Sequence, residues 1–162
     1  MKLLRGLTLG ATLGTVFAAF MGSYVRGRGA GLACPDWPLC YGQLIPAEMD
    51  ALVFLEWFHR SVVLMLSLAV VSIVVITWRR RLPQRYLALL VFGLLLMQAV
   101  LGGLTVLLRL NILVVALHQA FAQVFFGTLV TLTVLTFLPA STDTGLFAPP
   151  GREERRLAMA GD

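Results

Sequence analysis

Apolar residues fill four stretches of the chain, 7–24, 52–78, 86–108 and 112–138, and polar residues gather between them. A hydrocarbon layer of about 30 Å takes roughly 20 apolar helical residues to cross, so each stretch predicts one spanning helix. The second and fourth are long enough to tilt or to reach past the hydrocarbon. The expected fold is all-α, an integral membrane four-helix bundle over residues 1–139, followed by a polar tail over 140–162. Lys2 and Arg5 precede the first stretch as they would in a secretory leader. That stretch is longer than the roughly 7–15 apolar residues of a leader and lacks a small-x-small cleavage site, so it is expected to remain as a helix.

Composition agrees. The 162 residues are 59% hydrophobic and 13% charged, against about a quarter charged in a soluble domain. The net charge of +5 is no sign of nucleic-acid binding, because the basic residues collect at the ends of apolar segments. Their placement predicts topology. Lys2, Arg5, Arg79, Arg80, Arg81, Arg85, Arg152, Arg155 and Arg156 fall on one side, which the positive-inside rule makes the cytoplasm. Both termini are then cytoplasmic in a multi-pass cell-membrane protein. The loop 25–51 and the turn around Leu110 and Asn111 face outward.

That outer loop is too long for a plain connector. Asp50 at its end is a candidate helix cap. It also holds the only cysteines, Cys34 and Cys40, with Pro35, Trp37 and Pro38 between them. On the oxidising side a structural disulfide is one reading and a redox-active pair is the other. Two sulfurs without a histidine make a poor metal site. In the tail, "REERR" (152–156) is expected as a short surface helix or an unstructured segment.

His59 and His118 are the only histidines, and both fall inside predicted spans, where an ionisable group marks a functional candidate. His59 lies about eight residues, or about 12 Å, from the outer end of its helix, and His118 about six residues, or about 9 Å. Two imidazoles at matching depth on different helices of a bundle are what bis-histidine haem ligation requires. Gly102 and Gly103 would give a porphyrin room. The alternative is that each histidine bonds a neighbouring helix and the glycines serve close packing.

Glu56 sits three residues before His59, on the same helix face. It suits a carboxylate beside a haem edge, or an ion pair with Arg60 at i, i+4. Arg26, Arg28 and Arg109 break the positive-inside pattern. Arg26, just past the apolar stretch, is the candidate for a haem propionate. Gln98 and Gln119 are intramembrane polar groups able to bond across helices or line a pocket.

The chain resembles the haem A synthase family in "VRGRGAGLACPDWPLCYGQLIP" (25–46), "EWFHR" (56–60), "QAVLGGLTV" (98–106) and "ALHQA" (116–120). The first motif is the most specific. The resemblance implies oxidation of a haem O methyl to a formyl group, giving haem A for terminal oxidases. It also implies His59 and His118 as haem ligands, Glu56 as a catalytic aid, and Cys34 with Cys40 as the outward-facing pair. Typical members carry eight membrane helices as two similar halves, one for the substrate haem and one for a haem b, each with a histidine pair. This chain has four spans and one pair, so a homo-oligomer would restore the missing surface. With one histidine pair in this half-size chain, the resemblance leaves open whether a haem b is bound beside the substrate haem. Haem O, membrane lipid, an electron donor and a haem O synthase are the implied partners.

Three other functions fit parts of this pattern. A bis-histidine cytochrome b exchanging electrons with quinone needs the histidines but neither Glu56 nor the cysteine loop. A haem carrier needs only the cavity. A quinone-linked thiol oxidase needs two cysteine pairs, and the chain has one. With both axial positions filled, oxygen chemistry needs either one histidine to let go or an oxidant formed elsewhere.

Overall fold

The computed structural model describes residues 1–138 and consists of four long helices: α1 (Lys2–Gly27), α2 (Ala51–Arg79), α3 (Arg85–Leu107) and α4 (Ile112–Phe137). The tail expected over 140–162 lies outside the described residues. All four helices are long and apolar enough to cross a membrane. Leu13, Phe20, Leu64, Leu96 and Val124 are among the large apolar residues they turn outward, as a lipid-facing surface requires. The chain is therefore an all-α, multi-pass membrane bundle. α1 extends beyond its apolar stretch at both ends, because backbone hydrogen bonding continues into the polar interface after hydrophobicity stops.

The helix ends have local causes. Asp50 caps α2, its Oδ1 accepting from the amides of Leu52 and Val53 at 2.8 Å. Asn111 caps α4 in the same way. These side chains satisfy amides that the first helical turn leaves without partners. At the end of α1, Ala30 N donates to Val25 O and Gly29 N to Arg26 O. Gly29, at φ 72, supplies the left-handed residue of this Schellman ending. Arg81 and Arg109 take that position after α2 and α3, at φ 51 and φ 50.

The helices pack in a ring. α1 lies against α2 and α4, α3 lies against α2 and α4, and the backbones of the diagonal pairs α1–α3 and α2–α4 do not come close. A hydroxyl ladder joins α1 to α4: Thr8 Oγ1 meets Thr136 Oγ1 at 3.1 Å and Thr12 Oγ1 meets Thr133 Oγ1 at 2.8 Å. In lipid, such contacts replace the hydrophobic drive that water would supply. The core is one-sided. Leu66, Val70, Ile73, Val91, Leu95, Leu129 and their neighbours close the bundle at the end away from the 28–50 loop. At the loop end the diagonal stays open.

Candidate functional site

The open end of the bundle is a cavity of about 650 Å³, within the range of small-molecule and cofactor sites. Leu66, Leu95 and Phe125 form its floor, where the packed core begins. The loop roofs it with Trp37, Pro38 and Leu39. His59 and His118 both line it, from α2 and α4, the two helices that stand on a diagonal with no close backbone approach. The matching depths inferred from the sequence therefore become facing positions across one chamber.

Each imidazole is backed by a glycine of the neighbouring helix. A Cβ on Gly22 of α1 would lie 3.2 Å from His59 Cε1, and one on Gly102 of α3 would lie 3.4 Å from His118 Cε1. Any larger residue would push the ring toward the chamber. His59 Nδ1 is buried without a hydrogen-bond partner among the described residues. Gln98 of α3 reaches His118 instead. Among the described residues no group of three or more His, Cys, Asp or Glu could hold a bare metal ion. Among the described residues, the imidazoles that line the cavity are those of His59 and His118.

The remaining candidates separate by position. Glu56 is only 6% exposed and lines the cavity. Its Oε1 accepts from Arg60 Nε at 2.8 Å, so the ion pair forms, and Oε2 is left without a hydrogen bond among the described residues. Arg26 stands exposed at the end of α1, on the cavity rim. Gly103 does not back an imidazole. A Cβ there would fall 2.7 Å from the Trp37 ring, so this glycine seats the loop while Gly102 alone faces a histidine.

The loop is tied down in three ways. Cys34 and Cys40 are joined in a disulfide, S–S 2.01 Å, and both are fully buried with Val53. Arg60 donates to the carbonyls of Asp36 at 2.7 Å, Cys34 at 3.2 Å, and Leu39. Asp36 accepts from the amides of Tyr41 and Gly42, both at 2.7 Å. Tyr41 and Gly42 have positive φ, 54 and 70, and Cys40 and Gln43 exchange both backbone hydrogen bonds. These features define a tight turn of the primed type.

The Gly42 amide, with that of Tyr41, holds the Asp36 carboxyl below its ordinary value. A depressed carboxylate adds stability that is complete above its unfolded pKa and is lost as pH falls through the folded one. Hydrogen-exchange protection of the Tyr41 and Gly42 amides should therefore persist at pH 6 and fall away below about pH 4. In Asp36→Ala it should be absent at both. Protection that stays level through the acid range would show that the turn does not depend on this carboxylate.

Gly22 and the loop-holding role of Arg60 were not evident from the sequence. The residue types were visible, but the signal lies in which helix faces which.

Comparison with known proteins adds a name to this arrangement. A model of the COX15-CtaA family, described as cytochrome oxidase assembly protein, matches residues 5–53. A haem A synthase from Bacillus pumilus is 32% identical over 151 residues, covering 90% of this chain and 49% of the relative. One from Shouchella clausii is 32% identical over 140 residues, covering 84% and 46%. One from Bacillus licheniformis is 31% identical over 141 residues, with the same shares. The chain thus spans about half the length of the curated relatives it matches. No solved structure matches it.

Proposed function

The chain belongs to the haem A synthase family, and from that premise we propose that it oxidises a ring methyl of haem O to the formyl group of haem A. The observation that carries this reading is the diagonal pair of imidazoles, facing one chamber and each backed by a glycine. A flat macrocycle suits this space: the glycines let each imidazole lie back against the neighbouring helix, and the buried His59 Nδ1 marks a ring whose hydrogen bonding is incomplete. His59 and His118 would hold the haem. Its iron supplies the redox chemistry when bound.

The chain's own groups do the rest. Arg60 fixes one oxygen of Glu56 and leaves the other at the cavity wall, where it can take or return a proton during methyl oxidation. Arg26 on the rim suits a propionate, since guanidinium pairs with carboxylates in bidentate fashion. The roof formed by the bridged loop keeps bulk water from the chamber. The charge pattern supports a roof on the outer face of the cell membrane and both termini in the cytoplasm. Haem O delivered by its synthase, an electron donor and a second copy of the chain complete the expected partners.

Mass analysis of the pigment extracted from the purified protein tests the reading. Haem O or haem A is expected, and haem b alone would favour the electron-carrying cytochrome. Glu56→Gln should keep its bound haem and lower haem A production by about 100-fold or more, the usual scale of general acid–base assistance. Parent-level production would remove Glu56 from the mechanism.

A further inference from the structure

The bundle is two hairpins of similar construction. Each sets a glycine of its first helix against the imidazole of its second, Gly22 against His59 and Gly102 against His118. One turn deeper the hairpins differ. Four residues before its glycine, α3 carries Gln98 and α1 carries Ala18.

Gln98 is buried. With its amide turned so that each end meets a partner, Nε2 donates to His118 Nδ1 and to the His118 carbonyl, both at 3.1 Å. Its Oε1 accepts from Ala122 N at 3.0 Å. The amide thus grips both the ring and the backbone turn that carries it. Ala18 offers His59 nothing comparable, and His59 Nδ1 has no partner among the described residues.

We propose that Gln98 is the positioning residue that makes His118 the fixed member of the pair and leaves His59 the member free to turn away. The proposal rests on the reading above that both imidazoles hold haem. A ligating imidazole is ordinarily oriented, and made more basic, by a partner at its other nitrogen. A carboxamide can serve either form of the ring. With its nitrogen toward Nδ1 it donates to the free ring. With its oxygen turned there it accepts from the Nδ1–H that a ligating imidazole carries, which is the bond that makes the ligand more basic. His59, held by packing alone, is the weaker ligand. An iron gripped on both sides has no open position, so unless its oxidant forms elsewhere an enzyme built on it needs a ligand that leaves. The chain places that ligand on α2, on the same helix face as Glu56.

The test uses the full chain with its haem bound. Gln98→Leu removes donor and acceptor at similar size, and should lower haem retention against an apomyoglobin trap about 10–100-fold. The midpoint potential should rise, because a less electron-rich imidazole stabilises ferric iron less. Gln98→Glu keeps an acceptor for Nδ1–H, so it should restore retention and move the potential below that of the parent. Opposite shifts distinguish positioning from lost packing, which would move both variants the same way. His59→Ala should also retain more haem than His118→Ala. Parent-like values in Gln98→Leu, shifts of one sign in both variants, or better retention by His118→Ala would each overturn the proposal. A parent protein without six-coordinate low-spin haem would instead overturn the underlying reading, before any variant is compared.

Discussion

Alanine at both His59 and His118 should abolish haem binding, leaving a colourless protein of unchanged helix content. The reason is where these side chains sit. Both line the cavity at the loop end, whereas the contacts that hold the helices together lie at the other end, around Val70, Ile73, Val91 and Leu129. The hydroxyl ladder between α1 and α4 also runs through that lower half. Removing the imidazoles enlarges an existing chamber and touches neither. What disappears is every imidazole in the chain. Either single substitution should convert a six-coordinate low-spin spectrum into one with a single axial ligand or none. Absorption spectra of the purified variants, with circular dichroism for the helices, give the answer. Low-spin haem persisting in the double variant would mean that the pair does not hold it, and the proposed function would fall with that assignment.

How far the sequence reached can be judged from particular residues. Four spans were legible because hydrophobicity is a property of each stretch by itself, and Asp50 was legible as a cap because capping is local. His59 and His118 stood out by scarcity and depth. The ring order of the helices was not legible, since hydropathy does not say which faces meet. It is that order which sets α2 and α4 on a diagonal and brings two level histidines to the wall of one cavity. Gly102 and Gly103 are adjacent and look interchangeable in sequence, but neighbours in a helix point about 100° apart. One therefore backs His118 while the other receives Trp37. Gly22 has no sequence neighbour that marks it. Its partner is 37 positions away, on another helix.

Arg60→Leu should cost the fold about 3–5 kcal/mol, the usual result of removing one member of a buried ion pair. Two losses contribute, and they can be separated. Glu56, 6% exposed, would remain in an apolar wall without its counter-charge. The carbonyls of Cys34, Asp36 and Leu39 would lose the guanidinium that draws them onto α2. A surface salt bridge would contribute under about 1 kcal/mol, so burial is what makes this substitution severe. The pairing at i, i+4 is readable from sequence as a contact between two side chains of one helix. The structure shows the same guanidinium reaching the loop more than twenty residues upstream, which spacing along α2 could not reveal. Glu56→Leu with Arg60→Leu isolates the second loss, because it removes both charges and leaves only the undocked loop. That double variant should recover stability relative to Arg60→Leu in thermal unfolding in detergent, yet its loop should be cut faster by protease than the parent's. If the double variant matches the parent in both measurements, Arg60 serves Glu56 alone, and the roof is held by the disulfide and the seating of Trp37 on Gly103. If it is cut as fast as Arg60→Leu, the guanidinium is what holds the roof over the chamber, and the ion pair keeps that guanidinium in place.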